Sequence, residues 1–303
     1  MRELKDVVVP GVLISQVWPT SRETEGATVA AIRAVLDDGF FEAFQTVEVP
    51  YAGERREIAR LLSEKGYPLT YCITRVLNEG KCNLSDLDTA NRERSYQRAI
   101  AALDDAHEIG ARSLAIVSGP GPADPARRPE ALEGLADSVT HLCRAAGTQH
   151  DIEVILEPLD YAAHKKGALG TTDEALAICK RVENEGSELL LCLDTAHMYL
   201  NGEDPVTQVE KAGDRVREFH FCNCVTDETH ELFGDRHLRF DQPGRMNTDT
   251  MARTMKDLVE CGFFSEEKKA HVFCEVLTTG ERSPEDTIAH CKDTLLAAWK
   301  QAS

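Results

Sequence analysis

The chain has 303 residues, and its 34 lysines and arginines against 52 aspartates and glutamates leave a formal net charge of −18 with the histidines neutral. Because binding to a phosphate backbone requires clustered cations, this charge argues against a nucleic-acid partner. Hydrophobic residues make up 42% and charged residues 28% of the chain, proportions that exclude a mainly disordered protein.

Short β-rich runs alternate with longer amphipathic runs along the chain, which is the pattern of βα units around a parallel sheet. The eight predicted strands are Val12 to Val17, Phe44 to Val49, Leu69 to Thr74, Ser113 to Val117, Val154 to Glu157, Leu189 to Asp194, Val216 to Phe221 and His271 to Val276. An apolar stripe predicts a helix between Ser85 and Ile109, and Ser283-Pro284-Glu285-Asp286 predicts the start of the last helix. With no linker, repeat or glycine-rich nucleotide turn, this series predicts a single-domain (β/α)8 TIM barrel over residues 1–303.

The ten cysteines are expected to be thiols of a cytoplasmic protein. Residues 1–6 (MRELKD) lack the charged and then apolar start of a secretory signal. Cys192, Cys222 and Cys274 lie in apolar strand-like runs, where a thiol behaves as a small buried hydrophobic group. No apolar stretch approaches the roughly 20 residues of a transmembrane helix, so no membrane partner is expected.

The last four predicted strands end in groups that titrate or bind metals. These groups are Glu157, Asp194, His220 and Glu275. A carboxylate placed directly after apolar strand residues costs free energy unless it is paired, and the ends of barrel strands lie on one face. One divalent cation would pair all of these groups, and three carboxylates with one imidazole favour Mn²⁺, Mg²⁺ or Co²⁺ over structural zinc. A helix cap or a loop ion pair is the alternative for each acid taken alone.

The segments Glu157-Pro158-Leu159 and Asp194-Thr195-Ala196-His197, together with His220 and Glu275, resemble the xylose-isomerase-like TIM barrels, in particular sugar epimerases and sugar-phosphate isomerases. The resemblance covers nearly the whole chain. It implies one divalent metal, Mn²⁺ first with Mg²⁺ and Co²⁺ as alternatives, held by Glu157, Asp194, His220 and Glu275. It further implies that Glu157 and Glu275 transfer protons, that His197 faces the substrate, and that the reaction is an isomerisation or epimerisation of a sugar beside a carbonyl through an enediolate.

The sequence departs from the family pattern after the fifth strand. Many members continue there with an Asn-Arg pair and a second glutamate, whereas this chain reads Asp160-Tyr161-Ala162-Ala163. The segment 223–249 after the seventh strand is unusually long and is predicted to be a loop, in which Pro243-Gly244 resembles a pocket-forming family element. The substrate-contact candidates in this segment are His230, Asp235, Arg236, His237 and Arg239, with His237 chosen first and a solvated polar loop as the alternative.

Two residues elsewhere are candidates to line a sugar pocket. Trp18 follows the first predicted strand and Glu48 ends the second, with core packing or helix capping as the alternative for each. Cys222 and Cys224 share a strand face with His220, but one C-x-C pair is poor evidence for zinc, and buried thiols are the preferred interpretation.

Other functions remain open at this point. The resemblance extends to lyases, namely inosose dehydratases and the catalytic subunits of C-glycoside deglycosidases, and the latter work with a small β-rich partner subunit. A nuclease of the endonuclease IV type uses the same barrel, but the net charge argues against it. A non-catalytic scaffold is hard to reconcile with four candidate ligands. The leading expectation is an enzyme acting on a small carbohydrate or glycoside. Two kinds of assembly are considered, a homo-oligomer or, for a deglycosidase, a complex with the small β-rich partner subunit.

Overall fold

The computed structural model describes residues 2–280 and 282–303. The strands in this part of the chain are β1 (Val8–Leu13), β2 (Ala43–Val47), β3 (Leu69–Cys72), β4 (Ser113–Val117), β5 (Glu153–Glu157), β6 (Leu190–Asp194), β7 (Val216–Val225), β8 (Gly234–Leu238) and β9 (Ala270–Glu275). The α-helices are α1 (Leu4–Val7), α2 (Ile14–Val17), α3 (Ala27–Asp38), α4 (Ala52–Lys65), α5 (Thr74–Glu79), α6 (Thr89–Glu108), α7 (Arg128–Gln149), α8 (Thr172–Asn184), α9 (Thr195–Leu200), α10 (Pro205–Ala212), α11 (Thr248–Glu260) and α12 (Pro284–Ala302).

Eight of these strands form the predicted parallel barrel. They pair in the order β6-β5-β4-β3-β2-β1-β9-β7, and β6 also pairs with β7. The additional strand, β8, pairs antiparallel with β7. The fold class predicted from the sequence is therefore confirmed, while the assignment of residues 1–303 to one domain stays a prediction.

The contacts divide the chain into two compact units, Met1–Gln45 with Leu193–Ser303 and Thr46–Cys192. In the first unit, β9 pairs with both β1 and β7 in parallel register. Gly11 in β1 is required by packing, because a Cβ there would lie 2.3 Å from Cε1 of Phe273 in β9. The Phe273 ring in turn packs against the imidazole of His220, with 5.2 Å between the ring centroids.

The second unit carries β3, β4 and β5 in parallel register with the helices that follow them. Thr171 begins α8 with a capping box, in which its hydroxyl accepts from the backbone of Glu174 and the Glu174 carboxylate accepts from the backbone of Thr171. The same carboxylate pairs with Arg128 at the start of α7, with 2.6 Å between Nη1 and Oε1. These contacts fix the beginnings of α7 and α8 beside each other.

Most predicted strands are confirmed within two residues, but the first is wrong over most of its length. Strand β1 ends at Leu13, and the predicted strand residues Ile14 to Val17 form helix α2 instead. Strand β1 includes Pro10, which lacks the N–H that a strand normally donates, so the local strand signal before residue 12 is weak. The Pro10 carbonyl still accepts from the backbone of Glu42, at 2.8 Å.

Two helices begin directly after the residue that caps them. The long helix predicted from Ser85 begins only at Thr89, because the Asp88 carboxylate accepts from the backbone of Ala90 and caps it there. The last helix begins at Pro284 behind the predicted Ser283 cap. None of the helices in the described part of the chain is long and apolar enough to cross a membrane.

Candidate metal centre

Three of the four predicted ligands lie together in the first unit. Asp194 is the last residue of β6, His220 lies in β7 and Glu275 is the last residue of β9. Each offers one ligand atom, and these atoms lie within 4.8 Å of one another. The Asp194 and His220 residues are buried, and the Glu275 side chain is only 12% exposed. The ends of β6 and β9 and the middle of β7 thus bring two carboxylates and an imidazole into one buried cluster.

Asp194 has a second role at the start of helix α9. Its Oδ1 accepts from the backbone N–H groups of Ala196 at 2.7 Å and His197 at 3.2 Å. The capping alternative considered for strand-end acids is therefore realised at this position. A carboxylate has two oxygens and about four lone-pair directions, so capping does not prevent it from also binding a cation.

Glu275 is held from three sides. Its Oε1 accepts from Nε2 of Gln16 at 2.9 Å and lies 3.3 Å from Nε2 of His237, while its Oε2 lies 3.0 Å from Nδ1 of His220. Burial alone would raise the pKa of Glu275, but the neighbouring His237 and the hydrogen bond with His220 outweigh it and lower the pKa to about 2. The side chain is therefore a carboxylate at neutral pH, as a metal ligand or a general base requires.

The segment 223–249, predicted to be a loop, instead contains the end of β7 and strand β8. The pairs Cys224↔Asp235 and Val225↔Gly234 are antiparallel, and the register shifts between Asn223 and Cys224. The polar five-residue β8 has no alternation of apolar and polar side chains, which is why the sequence pattern did not reveal it. The hairpin carries Asp235 and His237 towards the end of β9, where the backbone of Leu277 donates to the His237 carbonyl at 2.9 Å.

Two histidines flank the buried carboxylate of Asp235. Its Oδ2 lies 3.0 Å from Nε2 of His237 and 3.8 Å from Nε2 of His197. His237 has a φ of 51°, a left-handed conformation that is uncommon outside glycine and is often found at functional sites. Of the predicted substrate contacts, the structure thus brings His197 and His237 to one carboxylate, and His237 also reaches Glu275.

Cys222, Asp235 and His237 form another group of potential ligands whose atoms lie within 4.8 Å of one another. Burial, together with the charges of Asp194, Asp235 and Glu275, raises the pKa of the Cys222 thiol well above its ordinary value. The thiol is therefore protonated and donates to Oδ1 of Asp235, at 3.4 Å. Since the thiolate and not the thiol binds metals, this group is a poorer metal site than the cluster of Asp194, His220 and Glu275.

The remaining predicted site residues belong to other segments of the chain. Glu157 ends β5 in the second unit and is partly buried, and Glu48 directly follows β2 rather than ending it. Trp18 is half-buried and directly follows α2, five residues beyond β1 rather than directly after the strand. Arg239 pairs with Asp241, at 3.3 Å between Nε and Oδ1.

The other two candidates of the segment make turn contacts. The Nδ1 atom of His230 accepts from the backbone of Leu232 at 3.0 Å, and Nε of Arg236 donates to the carbonyl of Phe233 at 3.1 Å. These bonds stabilise the connection between β7 and β8. They give no support to a substrate contact by either residue.

The fully buried side chain of Asn223 organises the turn that follows β8. Its Nδ2 donates to the carbonyls of Arg239, Gln242 and Pro243, and its Oδ1 accepts from the backbone of Met246 at 3.0 Å. Gly244 has a φ of 152°, and a Cβ there would lie 2.0 Å from Oδ1 of Asn223. The Pro243-Gly244 element is thus shaped around one asparagine.

We expect Asn223→Ala to lower the free energy of unfolding by about 3 kcal/mol, because several buried polar groups lose their partner together. Urea denaturation would measure the change. The matched control is Asn247→Ala, which removes a single exposed cap bond to Thr250 at the start of α11 and should cost about 1 kcal/mol. Equal losses in the two variants would contradict the organising role of Asn223.

Three residues of this region were not predicted from the sequence. Gln16 binds Glu275, and Gln45 in β2 donates to the buried Glu218 in β7 at 3.2 Å. Glu218 lies two residues before His220, so alternation along the strand was the signal that placed both on one face. Gln16 lay inside the wrongly predicted first strand, and only the tertiary structure shows its contact.

The donor chemistry of the cluster fits a divalent cation. Two carboxylates lie in a largely buried place beside an imidazole, and oxygen donors with one nitrogen suit Mn²⁺ or Mg²⁺. Grouping carboxylates away from water costs free energy, and a cation bound between them would offset that cost. The residues present are therefore compatible with the metal that the sequence pattern indicated.

The strand order defines a (β/α)8 barrel whose strands β6, β7 and β9 carry a cluster of two carboxylates and an imidazole. A family model described as "Xylose isomerase-like TIM barrel" matches residues 32–294, and the chain therefore belongs to that family. A search of curated proteins found no match.

Solved structures of low sequence identity share the fold. A putative xylose isomerase from Rhodospirillum rubrum is 17% identical with a TM-score of 0.73, and the match covers 98% of this chain and 99% of that one. A 3-keto-D-glucoside 4-epimerase from E. coli is 15% identical with a TM-score of 0.68, covering 95% and 98%. A D-psicose 3-epimerase from Clostridium cellulolyticum, solved with D-tagatose, is 16% identical with a TM-score of 0.68, covering 97% and 98%.

Proposed function

We propose that this protein is a divalent-metal-dependent sugar epimerase or isomerase that transfers a proton beside a carbonyl group. The observation that carries the proposal is the buried cluster of Asp194, His220 and Glu275 on three strands of a xylose isomerase-like barrel. Catalytic groups of such barrels lie at the C-terminal ends of the strands. Two of the similar structures are epimerases that act on keto sugars or keto glycosides by their names, which supports the choice of reaction.

Glu157 is proposed as the fourth ligand and as a second acid/base group. It is the last residue of β5 and is partly buried, and in this fold the C-terminal ends of all barrel strands belong to one face. Three carboxylates and one imidazole would then hold one cation, for which Mn²⁺ is the first choice and Mg²⁺ or Co²⁺ the alternatives. When bound, this cation would supply an electrophile that stabilises negative charge on substrate oxygens.

Glu275 is proposed as the general base. Its carboxylate is ionised because of its contacts with His220 and His237, so it can accept the proton of a C–H bond next to a carbonyl. Gln16 and His237 fix its Oε1, which orients the acceptor before substrate arrives. Return of a proton by Glu157 to the other face of the carbon would invert the stereocentre and complete an epimerisation.

His237 and His197 are proposed to contact the substrate. Asp235 orients the His237 imidazole, and the strained backbone at this residue points to a functional constraint on its position. Trp18, Glu48 and Arg239 stay predictions as pocket residues. A small carbohydrate is the proposed substrate, and the net charge of −18 favours an uncharged sugar over a sugar phosphate.

Solvent exchange tests the proposal directly. We expect the Mn²⁺-loaded protein, incubated with a panel of ketoses and keto glycosides in D₂O, to incorporate one deuterium beside the carbonyl of its substrate, as measured by mass spectrometry. The metal-stripped protein is the control and should not catalyse exchange. Failure of every metal-loaded form to exchange any member of the panel would count against the proposed reaction.

The same experiment separates epimerisation from elimination. A lyase would release water or an aglycone, which changes the product mass by more than a deuterium. No contact described above favours elimination, and none of the three similar structures named is a lyase. The lyase therefore stays an alternative from the sequence alone, together with its small β-rich partner subunit.

A further inference from the structure

A buried carboxylate lies beside the cluster without belonging to the proposed ligand set. Glu218 in β7 is 1% exposed. It lies two residues before His220, so both side chains extend from the same face of the strand. Burying a carboxylate costs free energy unless specific partners compensate for it, so its position calls for an explanation by its contacts.

The contacts of Glu218 link His220 in β7 to Gln45 in β2. Oε2 of Glu218 lies 3.4 Å from Nε2 of His220 and accepts from Nε2 of Gln45 at 3.2 Å. The other ring nitrogen of His220, Nδ1, lies 3.0 Å from Oε2 of Glu275. The imidazole is thus held between two carboxylates, one at each nitrogen, and Gln45 holds the outer carboxylate in place.

A cation bound beside Glu275, together with the Glu218 carboxylate, determines which nitrogen of His220 carries the hydrogen. A carboxylate can only accept, and a neutral imidazole has one donor nitrogen and one acceptor nitrogen. Without a cation either nitrogen can donate to its carboxylate, whereas a cation would need the lone pair of Nδ1, so the hydrogen then belongs on Nε2, where Glu218 accepts it. Nδ1 is the nitrogen that faces Glu275 and therefore the cluster.

We propose that Glu218, held by Gln45, is a positioning residue that fixes the Nε2–H tautomer of His220 and so presents Nδ1 as the metal ligand. The proposal rests on the metal site of the proposed function and adds the residues that prepare one of its ligands. Carboxylate partners of metal-binding histidines generally change metal affinity 10- to 100-fold when they are removed. Packing of Phe273 on the ring supports its orientation but cannot select a tautomer.

The first test measures metal affinity. Glu218→Gln keeps the shape of the side chain but introduces an NH₂ group that can donate to Nε2 and so permit the other tautomer. We expect the Kd for Mn²⁺, measured by competition with a chelating dye, to rise 10- to 100-fold. Gln45→Leu removes the hydrogen bond from Gln45 to Glu218 but keeps the Glu218 carboxylate. This variant should raise the Kd by a smaller factor.

Glu153→Gln is the matched control, because Glu153 begins β5 and contacts Ser113 at 3.3 Å, at the strand end opposite Glu157. Its Kd should stay within a factor of three of the wild-type value. A Glu218→Gln variant with the same Kd as this control would overturn the proposal. If the wild-type protein binds no Mn²⁺ at all, the proposed metal site fails instead, so the two failures are distinguishable.

The second test reads the tautomer in the wild-type protein, and a variant is needed only to assign the ring and for comparison. Long-range ¹H–¹⁵N NMR of the Mg²⁺-loaded protein distinguishes the two neutral tautomers of histidine, and the signal that disappears in His220→Gln assigns the ring. We expect the Nε2–H form for His220 in the wild type and a mixture in Glu218→Gln. An Nδ1–H form in the wild type would overturn the proposal.

Discussion

Replacing Glu275 with glutamine is expected to lower the rate of deuterium exchange by at least about 10³-fold, the upper part of the range for a lost general base. The amide keeps the shape of the side chain and an oxygen for the cation, but it cannot accept a proton from carbon. The measurement is the exchange rate at saturating Mn²⁺ and saturating substrate, so that weaker metal binding does not enter the comparison. Metal content of the variant is determined on the same sample.

Glu153→Gln serves as the control for this variant, because it makes the same chemical change at the other end of a barrel strand. It should exchange deuterium at the wild-type rate. Should the metal-loaded Glu275→Gln protein keep more than a tenth of the wild-type rate, Glu275 is not the base. Glu157 would then be the remaining carboxylate for that role.

Asp194→Ala is expected to raise the Kd for Mn²⁺ by more than about 10²-fold, because it removes a ligand outright rather than its support. The same change removes the cap of α9 and should cost about 1 kcal/mol of unfolding free energy in the metal-free protein. Metal content after dialysis measures the first effect, and thermal unfolding without metal measures the second.

Asp204→Ala isolates the capping effect. Asp204 caps α10 through a bond of its Oδ1 with the backbone of Thr207 at 2.9 Å, and the bond is exposed to solvent. This variant should lose similar stability and keep its metal. If Asp194→Ala retains metal as Asp204→Ala does, Asp194 is only a cap and the ligand set is incorrect.

Local patterns in the sequence were sufficient for most of the strand series and for three of the side chains that cluster in the structure. Asp194, His220 and Glu275 each follow apolar strand residues, and the parallel strands place such ends together. The predicted cap at Ser283 also follows local chemistry. These features depend on residues close in sequence, which is why they were predictable.

Contacts between distant segments explain what was missed. Gln16 and Glu275 are 259 residues apart, and Gln45 and Glu218 are 173 apart, so no local pattern links either pair. Strand β1 was misplaced because Pro10 is tolerated where neighbouring strands supply the pairing. Strand β8 owes its structure to pairing with β7 rather than to its own polar sequence.

The β7–β8 hairpin is attached to the parallel barrel, and β8 is not one of the barrel strands. The strands that carry Asp194, His220 and Glu275 belong to the parallel barrel, whereas His237 lies on a ribbon attached to the end of β7. The connection at residues 226–229 is exposed, so its length can change without breaking a hydrogen bond between barrel strands. A change in the length of this connection would therefore shift His237 relative to Glu275 while the pairing between barrel strands stays intact.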